Sequence, residues 1–498
     1  MKILVALITL VALKGQTPNR CTDTKPLDGP SWNGWGASLS NDRFQSNATL
    51  TAQQAPKLKL KWAYGFPGVR SVLGQPSVVG GRVFIGVDTG DVYSIDAATG
   101  CAYWSIKADA GVRTAITVAG GSAFFGDLRS NAYAVNANTG ELIWKVKVED
   151  HPTARITGAP QFFEGRIYVP VASGEEGSGR NPKYECCTFR GSVSALEAAT
   201  GKRVWKTYVI SDEPKPVRKT KAGVQMYAPS GAGIWSAPTI DAKRRALYVG
   251  TGDSYSEPAA DTSDAIVAIS LDTGKILWSV QDSEHDVWLA GCGGPNQSEN
   301  CPETLGPDHD FGSPPMLKSV GGRDLLIAGQ KSGNVWAHDP DKKGAVVWRS
   351  ALVSNTKEFG GKIIWGGAAD RDAGYFGLGP GGIGAVSLKD GERLWFAQIK
   401  PNVAAQPGLD GPLTAIPGVV FSAGWDGVLR ALDAKTGNVI WDYNTVHDYE
   451  TVNGVMAKGG SMGAPGPVVV GNRLFTPSGY IGVKNGLPGN VLLMFSAE

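Results

Sequence analysis

The sequence predicts an all-β fold, a closed ring of repeated four-stranded antiparallel units, and three observations carry that expectation. The first is a tryptophan that returns in one motif at Trp104, Trp144, Trp205, Trp278, Trp348, Trp395 and Trp441. It closes stretches such as A-V-N-A-N-T-G-E-L-I-W (134–144) and A-L-D-A-K-T-G-N-V-I-W (431–441). The second is the texture between them, short β-branched and aromatic runs broken by Gly-Gly, Asp-Thr-Gly and Ala-Thr-Gly. The third is the number of motifs, with Trp62 in L-K-L-K-W-A-Y as an eighth that lacks its turn. A supersecondary unit repeated this often forms a closed or stacked array. Eight units make an eight-bladed β-propeller.

One unit shows why each element forms. The stretch V-V-G-G-R-V-F-I-G-V-D-T-G-D-V-Y-S-I-D-A-A-T-G-C-A-Y-W-S-I (78–106) reads strand, turn, strand, turn, strand. In D-x-x-T-G the Asp bonds its own backbone and the Gly accepts positive φ, which suits a tight turn. The Trp begins an outer strand and is expected to lie flat over a neighbouring turn, a clasp between units. Its successive gaps run 40, 61, 73, 70, 47 and 46 residues. A blade needs about 40 to 45, so the long gaps hold insertions, near 174–190, 211–230, 253–264 and 286–310. Propeller insertions gather where binding sites form. The last unit (468–497) has no Trp motif of its own. The N-terminal strand around Trp62 is expected to supply its outer strand and close the ring, which removes free sheet edges.

Composition narrows the function. Charged residues are 19% of the chain and the net charge is +2, which gives no electrostatic case for nucleic acid. The run Lys215, Arg218, Lys219 and Lys221 reads as a solvated loop, with docking of an acidic redox partner as the other reading. Residues 1–15 place a lysine before an eleven-residue apolar run, the pattern of a short secretion signal rather than a membrane span. The mature chain, residues 16–498 as one domain, is therefore expected to be soluble and periplasmic or secreted. Six cysteines suit an oxidising compartment. Many pairings are open: Cys292 with Cys301 closes a short loop, and the adjacent Cys186 and Cys187 permit a vicinal bridge. Those two would leave Cys21 to Cys101. No C-x-x-C-H occurs, so no haem is attached through that motif.

Three segments carry a family resemblance: W-N-G-W-G-A-S-L-S-N-D-R-F-Q (32–45), E-C-C-T-F-R-G-S (185–192) and D-H-D-F-G-S-P-P-M-L (308–317). Through them the chain resembles the pyrroloquinoline quinone (PQQ) alcohol dehydrogenases, nearest the polyvinyl-alcohol dehydrogenase branch, from Trp32 to the end. The resemblance implies a planar quinone over the ring axis with a calcium ion at its edge. It assigns Trp235, in G-I-W-S-A-P-T-I-D, as the indole beneath the quinone; this tryptophan stands outside the D-x-x-T-G register. Asp253 in Y-V-G-T-G-D and Glu176 in S-G-E-E match metal ligands, with Glu175 and Glu185 as alternatives to Glu176. Calcium takes six to eight oxygens, carboxylates among them.

For the catalytic base the resemblance offers two places. In H-D-V-W-L (285–289) Leu289 occupies the family's aspartate position, leaving Asp286 as a lesser candidate. The later D-H-D matches better, making Asp310 base and metal neighbour, with Asp308 second. His309 is expected to be a loop residue, since no second histidine has metal spacing to it. Lys331 in G-Q-K-S-G and Arg113 in G-V-R-T-A match cations that meet the quinone oxygens, and both stay charged. Gln75, Thr157 and Ser173 stand where the family makes polar contacts to the cofactor. Cys186 and Cys187 fall in a different loop from the family's vicinal pair. They either reach the cofactor's roof from there or stiffen their own loop.

The implied reaction is oxidation of an alcohol, secondary or polymeric alcohols favoured. Asp310 takes the hydroxyl proton and the electrons pass to a separate cytochrome c or similar acceptor. The rival expectation is a non-catalytic propeller scaffold of the bacterial envelope.

Overall fold

In the computed structural model, residues 19–23, 27–353, 361–379, 381–400, 408–482 and 486–498 are described. The expected secretion signal lies outside them. Eight antiparallel sheets surround one axis. Blade 1 comprises Ser77–Val79, Arg82–Gly86, Asp91–Asp96 and Ala102–Lys107. Blades 2 to 7 repeat the pattern within 117–147, 161–208, 239–281, 316–351, 368–398 and 414–444. Blade 8 takes three strands from the C-terminal end, Val468–Val470, Arg473–Ser478 and Val491–Ser496. Its outermost strand is Lys59–Gly65, paired antiparallel with Val491–Ser496. The N-terminal strand closes the ring, as the missing Trp motif predicts.

The tryptophans clasp neighbouring blades as expected, and glycine makes the contact possible. The Trp104 indole lies on Gly140 of the next unit's turn, where an added Cβ would come within 2.9 Å of the ring. Its Nε1 donates to the Ala137 carbonyl at 3.0 Å. Trp144 does the same to Gly201 and the Ala198 carbonyl. At the seam Trp441 donates to the Leu58 carbonyl at 3.2 Å, and Trp62 rests on Gly100. Where the turn opens on Asp, that residue serves its own backbone: Asp96 Oδ1 accepts from the N–H groups of Ala98 and Thr99 at 3.0 and 2.8 Å.

One mouth of the ring is plugged by residues 31–45. Trp32 exchanges backbone hydrogen bonds with Val78 of blade 1, the Asn33 side-chain amide donates to the carbonyl and accepts from the N–H of Val118 of blade 2, and Gln45 N–H donates to the Ala415 carbonyl of blade 7. Arg43 is wholly buried at the centre. Its guanidinium donates to Gln75 Oε1, Thr414 Oγ1 and the carbonyls of Trp35, Leu413 and Pro467. Burial without a carboxylate partner pushes its pKa down to about 9. The segment that carries the resemblance thus serves the fold.

All three disulfides fall where the cysteine spacing allows: Cys21–Cys101, Cys186–Cys187 and Cys292–Cys301. The first ties the N-terminal segment to blade 1, and the last closes a loop of the longest insertion. The 211–230 insertion forms a hairpin, Lys215–Lys219 with Gln225–Ala228. No helix among the described residues is long and apolar enough to cross a membrane.

Candidate active site

Opposite the plug, the insertions of blades 3 to 5 surround a cavity of about 630 Å³. Its wall includes Arg113, Thr157, Ser173, Glu176, Trp235, Asp253, Asp310 and Lys331. Residues separated by more than 200 positions in sequence therefore meet on one cavity wall.

The floor is Trp235. Its ring packs against Gly312, where a Cβ would come within 2.5 Å of the indole, so only glycine admits it. The Trp235 carbonyl accepts from Thr157 Oγ1 at 3.2 Å. Trp365 stands edge-on to it at 5.4 Å, and Arg113 stacks over Trp365 at 4.8 Å. Lys331 Nζ lies 5.3 Å from the Trp235 ring centroid. A flat, half-buried aromatic face with cations beside it suits a planar, anionic ring system.

Beside the floor lies a group of buried carboxylates. Oxygens of Asp253, Asp264 and Asp310 lie within 4.8 Å of one another. Asp310 Oδ1 accepts from the Asp253 N–H at 2.7 Å, and Asp310 Oδ2 is paired with Lys331 Nζ. Lys331 also pairs with Asp308 Oδ1 at 2.5 Å, and Lys362 with Asp308 Oδ2 at 2.7 Å. Asp253 Oδ2 and both oxygens of Asp264 are buried with no hydrogen-bond partner. A buried carboxylate without a partner costs several kcal/mol, about what a bound cation would offset.

The electrostatics follow from that crowding. Burial, then the charge of Asp310, holds Asp253 and Asp264 well above the ordinary carboxylate range. Burial also raises Asp310, but the Lys331 charge and its hydrogen bonds outweigh this and leave it below its ordinary value. For Lys331 burial lowers the pKa, and the acids around it more than reverse that. Glu176 is pushed up to about 7, chiefly by burial. These hard oxygens, with Glu176 on the same wall, fit an oxygen-seeking cation such as calcium. The residues present therefore fit both groups that the resemblance implies.

Several expectations land elsewhere. Gln75 does not reach this cavity. Its amide is held by Arg43, the Gly34 and Trp35 carbonyls and the Gly466 N–H, in a recess of about 20 Å³ behind the Trp235 floor. Cys186 and Cys187 are fully buried and absent from the cavity wall, packed among Phe189, Met226 and Tyr255. Cys187 Sγ lies 3.9 Å from the carbonyl of Tyr255, and it is Tyr255 that faces the cavity. Ser173 lines the wall, but its hydroxyl meets Thr153 and the Glu175 N–H.

The two glutamates divide cleanly. Glu175 accepts from the Thr188 and Phe189 N–H groups and from Tyr184, which anchors the disulfide loop, while Glu176 faces the cavity. Asp286 accepts from the N–H groups of Asp308 and His309 at 3.2 and 2.8 Å, so it shapes the turn and stays off the wall. His309 contacts Ser283. Sequence reasoning missed Asp264, Arg155, Arg180, Tyr255, Trp288, Lys362 and Trp365. Only Trp288 and Trp365, two further tryptophans outside the repeat register, left a signal that could have found them.

An eight-bladed propeller with a blind axial cavity, an indole floor and bare buried carboxylates defines a cofactor-binding propeller. Comparison with known proteins narrows the class. The chain is 40% identical to a polyvinylalcohol dehydrogenase of a Pseudomonas species, over 95% of this chain and 80% of that one. It is 38% identical to a polyvinylalcohol dehydrogenase of a Sphingopyxis species, over 94% and 76%. The chain belongs to the PQQ alcohol dehydrogenase family, an oxidoreductase family, on the branch that holds these two. A model described as "Glucose/ethanol/alcohol dehydrogenase, beta-propeller domain" matches residues 154–290. Another, described as "Outer membrane protein assembly factor BamB", matches 36–216 and 331–483. The second omits 217–330, the stretch that holds Trp235, Asp253, Asp264 and Asp310. The quinohemoprotein alcohol dehydrogenase of Comamonas testosteroni shares the fold, with TM-score 0.70 at 19% identity over 94% of this chain and 80% of that one.

Proposed function

We propose that this chain is an exported, PQQ- and calcium-dependent dehydrogenase of secondary alcohols, with hydroxylated polymers such as polyvinyl alcohol the favoured substrates. The observation that carries the reading is the set of bare, buried carboxylates beside the Trp235 floor, in a chain 40% identical to a polyvinylalcohol dehydrogenase. Trp235 would stack beneath the quinone, with Arg113 and Lys331 toward its oxygens. Glu176, Asp253 and Asp310 would hold the metal, and Asp264 adds a fourth carboxylate to that set. Thr157 keeps the floor in place through the Trp235 carbonyl. Bound there, PQQ would supply a two-electron oxidising ring and calcium a Lewis acid to polarise it.

The chain's own task is to place the alcohol and take its proton. Asp310 is the base: its lowered pKa keeps it ionised at neutral pH, and it faces the cavity. Lys331 Nζ, between Asp308 and Asp310, holds that charge in place until the proton is taken up. Asp308, with both oxygens engaged by lysines, is the alternative base. Trp288 and Tyr255 narrow the cavity and exclude water. The electrons leave to a separate acceptor, a cytochrome c or similar carrier.

Reconstitution of folded protein with PQQ and calcium tests the reading, followed by dye-linked oxidation of a secondary alcohol. Quinone absorbance on the protein together with turnover is the expected result; neither in a folded sample would return the chain to the scaffold class.

A further inference from the structure

The geometry points to a second binding pocket, built on blade 3 beside the catalytic cavity, that takes a neutral hydroxylated chain segment. It rests on the proposed polymer substrate and adds to it an outlying subsite.

This pocket, of about 230 Å³, is lined by Glu149, His151, Phe189, Arg190, Tyr208 and Tyr227, with Thr188 and Glu213 at its rim. None of these residues lines the catalytic cavity, yet the partition between the two is thin. Ser173 of the cavity wall meets Thr153 at 2.8 Å, and Thr153 Oγ1 meets His151 Nδ1 of the second pocket at 3.0 Å. Tyr255 of the cavity wall stacks on Phe189 of the pocket at 6.4 Å. One insertion, residues 174–190, contributes Glu176 to the first and Phe189 to the second.

The lining selects the ligand class. An anion finds no uncommitted cation: Lys206 is paired with Glu149 at 2.5 Å, Arg190 donates to the Ile210 and Ser211 carbonyls, and Glu213 opposes it. An external cation is disfavoured because the Arg190 guanidinium itself occupies the Tyr208 face, 4.1 Å from the ring centroid. What remains is the half-buried Tyr227 ring, with the buried Phe189 ring in the wall, flanked by oxygen acceptors. Thr188 and Glu213 are exposed, and Glu213 has only a distant ion pair to Arg190 at 3.9 Å. A chain that alternates methylene and carbinol carbons offers apolar faces for the rings and hydroxyl donors for the oxygens. A polymer is also multivalent. A second contact close to the first raises its effective concentration at the cavity without altering the chemistry.

The test compares polyvinyl alcohol with isopropanol on reconstituted holoenzyme carrying Tyr227→Ala or Glu213→Gln. For the polymer, KM rises about fivefold while kcat stays unchanged. Isopropanol kinetics stay at the wild-type values. Titration calorimetry of polyvinyl alcohol onto the same proteins shows the same loss of affinity. Glu213→Gln, at an exposed position, keeps the question open to answer should Tyr227→Ala fold poorly. Unchanged polymer KM and affinity in the folded variants would overturn the subsite, as would a parallel rise of KM for isopropanol. If wild-type enzyme oxidises neither alcohol, the proposed function fails, and the calorimetric difference still decides the pocket on its own.

Discussion

Blade 2 and blade 4 each bury an aspartate, and the two are treated in opposite ways. Asp127, fully buried in blade 2, accepts from the Arg129 and Asn131 N–H groups, the Asn131 amide and the Tyr133 hydroxyl. Asp264, fully buried in blade 4, has no partner for either oxygen. Where a carboxylate serves the fold, the surrounding turn supplies its donors. Where the turn supplies none, the carboxylate stands bare beside Asp253 and Asp310, where we propose the cation. The contrast extends across the ring, since the regular blades 1, 2 and 7 contribute clasps, while the inserted loops of blades 3 to 5 supply most of the cavity wall.

Five substitutions would break or sharpen that contrast. The largest effect is expected at Asp310. Asp310→Asn should cut dye-linked kcat by about a thousandfold, within the range a general base supplies, with the melting temperature held or raised. Near-normal turnover would pass the base to Asp308. On the scaffold side, Trp144→Ala should lower unfolding stability by about 3–5 kcal/mol in denaturant titration, because it empties the clasp over Gly201. Turnover per folded molecule should be unchanged there.

Asp264→Asn should weaken calcium affinity about tenfold or more, read by calorimetry on protein without quinone. An Asp127→Asn variant should instead lose stability and keep its calcium affinity. The smallest effect concerns pH. Burial pushes Glu176 up to about 7, above the ordinary 4.5, so the folded metal-free protein binds more protons than the unfolded chain between those values. Its contribution to stability is therefore present below pH ~4.5 and is lost as pH rises toward ~7. Glu176→Gln should flatten that part of the stability profile, measured by thermal melts across the window.

The ring was legible because its signal is repeated and local. Asp, Gly and Trp of one motif fix a turn and a clasp within a dozen residues, and the missing eighth clasp already points to closure through Trp62. Trp235 was legible for the converse reason, as a tryptophan out of register. Asp264 was not, because nothing in T-S-D-A-I marks it. It reaches the site only because its N–H donates to the Gly252 carbonyl across the blade 4 loop. The position of Gln75 off the main cavity wall had no local signal, since its partner Arg43 lies on a segment that reaches the axis by crossing the ring mouth. The adjacent cysteines left a bridge open in the sequence, and the structure forms it. Their place behind Tyr255 depends on Glu175 gathering the following N–H groups, a tertiary contact with no sequence pattern.

The plug of residues 31–45 makes the ring a cup rather than a pipe. Alcohol and oxidised product must use the same opening, so each departure competes with the next arrival. A long polymer cannot be drawn through the axis like thread through a bead. As the proposed substrate, such a polymer would dip an end or a bent loop into the cup, lift it, and offer the next carbinol. Such an enzyme would favour flexible chains over stiff ones, and its pace on a polymer would be set by how readily the backbone can fold back on itself.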